Sequence, residues 1–437
     1  MALQTDDAGN HPRLLMLASP AAFADELPNL GDRALQSGFN ALVRDDLPTA
    51  RILHDGWNTF PLETYRHVQK FDGPVEQAIE TSFETFKRRA ETHPPLHKTL
   101  NRILHSPAFD RFPLMTRLNS LARHRTGQNF RQAIAPRLFP KLAAWQFAAK
   151  LKASEVAIFN AGGLLSDHLA HYLPGRILSL FAAKRAGLKV VIVNFSFAIE
   201  NEALRRLVRA TMQAVDLHVV RESHSRDALT TLGVDENRII LTRDTAFNAD
   251  FASTEPAMRK PRIALFVRGD RAVDIQTWAT LARWMRRELD VGVIYLHGCH
   301  KNDVAVRIAL GENCALDDDG VPLNNSDTMR ALSECAFAVS DRYHGLIFAM
   351  QAEVPFAAVE STTHKTAGLL KDFEYSLPAL PTLTADSLDQ YKAAIGEAYN
   401  SREALAQELS GKAAAARTKL IGDYRSVFDK LGLMNRT

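Results

Sequence analysis

The sequence predicts two consecutive α/β domains, each built on a parallel sheet covered by helices on both faces. Three observations predict it. At 437 residues the chain is too long for one typical core. Strand-length apolar runs alternate with helix-length segments, the order that builds parallel sheets. A polar break at residues 252–261, with lysine, proline and small residues, separates two sets of such runs. On this division residues 1–252 are the N-terminal domain and 262–385 the C-terminal one. Residues 386–437 are helices that pack back on both.

Taken in order, residues 13–18 form the first strand. The loop Pro28-Asn29-Leu30-Gly31-Asp32 follows, then a helix from Asp32 or Arg33 to about Val43 and a second strand at 51–54. That loop lies at the carboxyl end of its strand, where open α/β sheets bind ligands. Residues 57–152 leave this rhythm: they are helical by composition and broken by prolines, a helical insertion in the first domain. The alternation resumes with a strand at 156–160 ending in Ala161-Gly162-Gly163, a helix at 166–186 and a strand at 188–193. A helix at 201–214 leads to a strand at 217–220, which runs into Arg221-Glu222-Ser223-His224-Ser225. The strand at 238–241 leads to Asp244-Thr245-Ala246-Phe247.

The second domain opens with a strand at 263–267 ending in Arg268-Gly269, a helix at 275–289 and a strand at 291–296 ending in His297. After a helix at 327–335, residues 336–359 make one strand-helix-strand unit. An apolar run ends at Ser340-Asp341, either of which can cap the helix. The helix holds Arg342, Tyr343 and His344 at its start, and Pro355 blocks its continuation. Free amides and the helix dipole favour an anion there. Arginine adds a planar fork for carboxylate or phosphate, and histidine a proton mobile near neutral pH.

Composition excludes several classes. A net charge of +3 does not call for nucleic acid. The start of the chain has no signal-peptide pattern and no run is long enough to span a membrane, which suggests a cytoplasmic protein. Cys299, Cys314 and Cys335 read as reduced thiols. His297-Gly-Cys-His300 fits no standard metal spacing and Asp317-Asp318-Asp319 reads as solvated, so no metal site is expected. From Arg111 to Ser154 there is no acidic residue among many arginines and lysines. Such a segment either meets an anionic membrane surface or packs its apolar face on the sheet; packing is preferred.

Asn29, Gly31, Asp32, Gly162, Gly163, Arg221 with Ser225, Asp244, Arg268, His297, Asp341, Arg342, Tyr343 and His344 all stand at predicted strand ends. Each is weak alone. Together, in two α/β domains, they suggest one cleft between facing sheet ends.

At this point the chain resembles the polysaccharide pyruvyl transferase family. The matching features, in the family's order, begin with Asn29-x-Gly31-Asp32, the glycine pair, and Arg221-Glu222 with Ser225 and Leu229 ahead of Gly233. Asp244-x-Ala246-Phe247, Arg268, Ser340-x-Arg342-Tyr343-His344-Gly345 with Pro355, Lys365 and Gly368-Leu369-Leu370 follow. The likeness covers about Leu14 to Leu370 apart from 57–152. Tyr343 stands where leucine is common, and Asn201 where a Gly-Pro turn is often seen. The resemblance implies a GT-B-like fold of two Rossmann-like domains and a pyruvyl transferase with phosphoenolpyruvate as donor. The acceptor would be a sugar of a polysaccharide or of its lipid-linked precursor, met at the inner face of the membrane. Two of its hydroxyls would be joined through a pyruvate ketal with release of phosphate. It places donor binding at Arg221, Arg342, Tyr343 and His344.

The chemistry suits these residues. Carboxylate and phosphate call for guanidinium groups, with Arg268 a further candidate. Carbon C3 of the donor must gain a proton, and an imidazole with an ordinary pKa of ~6.5 is a fitting acid, which makes His344 the expected general acid. The base stays open between Asp32 and Asp341, each of which could instead cap a helix. Phosphoenolpyruvate is a co-substrate, and no cofactor is expected. Two other readings remain: a GT-B glycosyltransferase using a nucleotide sugar, and a non-catalytic glycan-binding protein.

Overall fold

The computed structural model describes residues 11–17, 29–55, 75–91, 140–167, 173–249, 259–269, 273–313, 316, 325–360 and 363–434. Two parallel sheets organise them. The first holds β1 (Arg13–Leu17), β2 (Arg51–His54), β3 (Val156–Ser166), β4 (Lys189–Ala198), β5 (Leu217–Val220) and β6 (Ile239–Leu241), in the order β2-β1-β3-β4-β5-β6. The second holds β7 (Lys260–Phe266), β8 (Gly292–Tyr295), β9 (Cys335–Ser340) and β10 (Phe356–Ala358), in the order β10-β9-β7-β8. All pairings between these strands are parallel. Both sheets thus place their first strand between the second and the third. The chain reverses its winding between β1 and β3 and again between β7 and β9, and a crevice opens beyond the carboxyl ends at such a point.

Both faces are covered, as near-continuous apolar strands require. In β1, Leu14 and Met16 join one buried cluster while Leu15 and Leu17 join the other, the two-residue period of a strand. Helix α1 (Leu30–Asp46) follows β1. Helices α2 (Val75–Glu91) and α3 (Pro140–Lys152) are the described part of the insertion, and Phe86 and Phe147 meet edge-on between them at 5.6 Å. Of the basic segment, residues 111–139 lie outside the described residues. Its end packs: Ala144, Phe147 and Leu151 are buried on the sheet side, and Lys150 pairs with buried Asp55 at 2.9 Å. Also outside are Cys314 and Asp317 to Asp319. Among the described residues, no helix is long and apolar enough to cross a membrane.

Helices α4 (Leu173–Arg185), α5 (Glu202–Met212) and α6 (Ser223–Thr231) complete the first domain. Helices α7 (Ile275–Glu288), α8 (His300–Asn313), α9 (Asn325–Ser333), α10 (Tyr343–Gln351) and α11 (Lys365–Asp372) belong to the second. Then α12 (Leu388–Asn400), α13 (Arg402–Leu409) and α14 (Lys412–Lys430) carry the chain back. From α14, Arg425 reaches Asp46 at 2.9 Å, Arg417 reaches Asn248 at 3.0 Å, and Tyr424 packs edge-on against Phe39 at 5.8 Å.

Three local expectations are corrected. Strand β3 does not stop at Asn160 but runs to Ser166, so Gly162 and Gly163 lie inside a strand rather than in a turn after it. Gly162 takes φ +53° at an irregularity there, which lets pairing with β4 resume beyond it. Strand β4 likewise continues past Val193 through Asn194, at φ 54°, to Ala198. The third concerns the helix at Arg342. Neither Ser340 nor Asp341 is its cap residue, because the helix begins one step later, at Tyr343. Ser340 Oγ instead accepts the Arg342 N–H at 3.1 Å and donates to the Arg342 carbonyl at 2.9 Å, fixing the turn from β9.

Candidate active site between the two sheets

The turn that Ser340 fixes aims Arg342 back across its own domain. There the guanidinium meets the carboxylate of Asp303, which is wholly buried. The same carboxylate accepts the N–H groups of Gly269 at 2.9 Å, Gly298 at 2.8 Å and Cys299 at 2.7 Å. Asp303 therefore ties the loops after β7 and β8 to the arginine that follows β9. Gly298 is needed for this: a Cβ there would overlap the Arg342 side chain. Nothing in the sequence reading singled out Asp303. The signal that could have found it is an acid in the first turn of the helix after β8, placed to reach back to loop amides.

The first domain supplies a second guanidinium, that of Arg221 after β5, which is 2% exposed. Its Nε donates to Ser196 Oγ at 3.0 Å and its Nη1 to Asp244 Oδ2 at 2.5 Å. Ser196 reaches it because β4 is continued past Asn194, whose side chain accepts the Thr245 N–H at 2.9 Å. The guanidinium carbon of Arg221 lies 4.4 Å from the ring centre of Tyr343, so an arginine of one domain sits on an aromatic of the other. Desolvated contacts of this kind are worth about 2 kcal/mol. Lys365, at the start of α11, stands 5.7 Å from the same ring.

His344 sits where the domains touch. Its Nε2 is 3.7 Å from Asp244 Oδ2, and its ring lies against the backbone of Gly31, where a Cβ would overlap it. The start of α1 is stitched to the second domain: Leu30 N–H donates to the Gly298 carbonyl at 2.9 Å, and Asn29 bridges to Cys299. Burial pushes the Asp244 carboxyl up, but Arg221 and His344 outweigh it and hold the group well below the usual carboxylate range. Asp32 is exposed in the crevice and faces His344, Arg221, Lys365 and Arg342.

Asp341 is half-buried. Its Oδ2 accepts the Arg268 N–H at 3.2 Å, and burial pushes its pKa up to about 6. Arg268, also half-buried, is close enough to oppose that shift. Four buried polar atoms converge here with no hydrogen-bond partner among the described residues: Asp341 Oδ1, Arg342 Nε, the Tyr343 hydroxyl and His344 Nε2. Buried polar groups are ordinarily satisfied.

The other expected residues stand further back. Ser225 is buried, and its hydroxyl joins the Phe197 N–H, at 2.7 Å, to the Glu222 carboxylate. Gly162 is buried beside Leu35, while Gly163 is exposed. His297 is 1% exposed and packs edge-on against Tyr295 at 5.2 Å, so it offers a ligand no surface. Among the described residues no group of three or more His, Cys, Asp or Glu side chains could hold a metal ion.

Comparison with known proteins agrees with this architecture. The family model described as polysaccharide pyruvyl transferase matches residues 29–363. No curated protein matches the chain. Among solved structures, MnaA of S. aureus in its co-structure with UDP is 13% identical, with 97% of each chain covered and a TM-score of 0.53. The UDP-GlcNAc 2-epimerase of Neisseria meningitidis, bound to UDP-GlcNAc, is 11% identical, with 97% of this chain and 100% of that chain covered and a TM-score of 0.50. At such identities the likeness is one of fold: two parallel α/β domains facing across a cleft, the GT-B arrangement.

Proposed function

The chain belongs to the polysaccharide pyruvyl transferase family, and on that premise we propose that it moves the pyruvyl group of phosphoenolpyruvate onto two hydroxyls of one sugar, giving a pyruvate ketal and phosphate. The acceptor is a polysaccharide or its lipid-linked precursor. One observation carries the reading. Arg221, Arg342, Lys365 and His344 converge from both domains on a crevice where Arg342 Nε and His344 Nε2 make no hydrogen bond among the described residues. A small ligand with a carboxylate and a phosphate would satisfy such donors.

In this reading Arg342, with Arg268 and Lys365 nearby, binds the donor's two anionic groups. Arg221 contributes from the opposite wall, pre-oriented by Ser196 and Asp244. The phenol of Tyr343 is stacked under Arg221, so its ring sets the height of that guanidinium. His344 gives its proton to C3 of the donor. The Asp244 carboxylate, 3.7 Å away, stabilises the cationic ring before transfer. As positive character develops at C2, a sugar hydroxyl attacks and the C2–O bond to phosphate breaks.

A nucleotide-sugar donor is the competing chemistry on this fold, whose solved examples above hold UDP and UDP-GlcNAc. Incubation with phosphoenolpyruvate and pooled free and lipid-linked glycans separates the two. The proposal expects phosphate release matched by ketal formation. A product formed from a nucleotide sugar, with phosphoenolpyruvate untouched, contradicts it.

A further inference from the structure

Among the described residues four aspartates stand around this crevice, and three are already committed. Asp244 accepts from Arg221 and from the Ala246 N–H at 2.8 Å. Asp303 holds Arg342 and three loop amides. Asp341 accepts the Arg268 N–H through Oδ2, and its other oxygen, Oδ1, is buried away from solvent. Asp32 differs from all of them. Its side chain is exposed in the crevice and makes no hydrogen bond or ion pair within 4.0 Å to any described residue. Nor does it cap α1, for that duty falls to Asn29, whose side chain accepts the Gly31 N–H at 2.9 Å.

Asp32 projects from the first domain, whereas His344 belongs to the second. The residue before it, Gly31, is the one whose backbone lies against the His344 ring. Asp32 is close enough for its charge to act on His344, so a carboxylate of one domain and an imidazole of the other border the same crevice. The crevice walls around its carboxyl partly desolvate it and raise the Asp32 pKa above its ordinary value, while His344, Arg221, Lys365 and Arg342 pull it back. A carboxylate with no ion-pair partner keeps its lone pairs free for a hydroxyl proton, as those of Asp244 and Asp303 are not.

We infer that Asp32 is the general base that takes the proton of the attacking sugar hydroxyl; this rests on the phosphoenolpyruvate reading of the site. His344 protonates C3. The hydroxyl oxygen bonds to C2 as its proton passes to Asp32, and the C2–O bond to phosphate breaks with its electron pair leaving on phosphate. The second hydroxyl then closes the ketal. Of the two hydroxyl protons, one leaves on phosphate and the other restores His344.

Asp32→Asn tests this, because it keeps shape and removes basicity. Three readouts are needed: calorimetric binding of phosphoenolpyruvate, exchange of its C3 hydrogens in D2O followed by NMR, and ketal formation with pooled methyl glucosides, galactosides and mannosides. The inference expects donor affinity equal to or tighter than wild type, since one negative charge is gone. It expects C3 exchange to persist while ketal formation falls by about 10²- to 10⁴-fold. Ketal formation within about threefold of wild type overturns it, and so does loss of exchange and ketal together, which marks a structural role. If the wild-type protein neither binds phosphoenolpyruvate nor exchanges its C3 hydrogens, the donor reading fails, and the inference with it.

Discussion

Asp244 and His344 meet across the domain boundary: Oδ2 of the first stands 3.7 Å from Nε2 of the second, and that same oxygen accepts the Arg221 guanidinium at 2.5 Å. One buried carboxylate oxygen therefore faces a guanidinium of its own domain and an imidazole of the other. Its neighbourhood yields predictions that do not depend on one another.

Asp244→Asn leaves Arg221 buried without its counter-charge. Breaking a buried pair from one side costs about 3–5 kcal/mol. Urea unfolding should show a loss of stability of that size, read as a lower midpoint with little change in slope. A stability within about 1 kcal/mol of wild type would mean that the pair is not as dry as its 1% and 0% side-chain exposures indicate.

Gly31→Ala would force a methyl group into the His344 ring. Either α1 or the imidazole must move, and overpacking of this kind costs about 1–3 kcal/mol. Displacing the ring by about 1 Å should lower kcat by about 10²-fold. Donor affinity should change far less. Normal turnover in this variant would show that the domains part enough in solution to relieve the contact.

Asp303→Asn should act through Arg342 rather than through the reacting atoms. Its amide cannot balance the guanidinium, and it must turn a donor or a single carbonyl toward three loop N–H groups. Calorimetry should show phosphoenolpyruvate binding weakened by about tenfold or more, in line with the 1.5–3 kcal/mol typical of charged hydrogen bonds. Unchanged affinity would mean that Arg342 holds its place without help.

The pH dependence of stability should carry the mark of Asp341. Its folded pKa, about 6, lies above the ordinary 3.8. Between these values the folded state holds more proton than the unfolded state, so this group's contribution to stability falls as pH rises. Above pH ~6 the buried charge is a standing cost, about 1 kcal/mol once partial exposure is allowed for. Asp341→Asn should therefore raise Tm at pH 7.5 and lose that advantage near pH 4. A gain of equal size at both pH values would assign the effect to packing.

Much of this was legible in the sequence because both domains repeat one grammar. Apolar runs such as Val191 to Val193 and Phe337 to Val339 are buried strands, and polar residues follow them at the crevice. Irregular backbone was not legible. The bulges at Gly162 and Asn194 lengthen β3 and β4 and carry Ser196 to Arg221, and no periodicity announces a positive φ at an asparagine. Long-range pairing was equally silent. Asp303 lies 39 residues before Arg342, in a helix, His300–Asn313, that the residue pattern did not reveal. The two capping duties considered for Asp32 and Asp341 fail for a local reason: Asn29 takes the first, and the Ser340 hydroxyl fixes the turn before the second helix.

The central claim is that an imidazole of the second domain protonates a small dianionic donor held by guanidinium groups. Parallel titration and turnover of His344→Ala with phosphoenolpyruvate tests it most directly. An acid acts mainly in the transition state, so calorimetric affinity should stay within about tenfold of wild type while phosphate release falls by about 10²- to 10⁴-fold. Phosphate release at the wild-type rate from this variant would contradict the account.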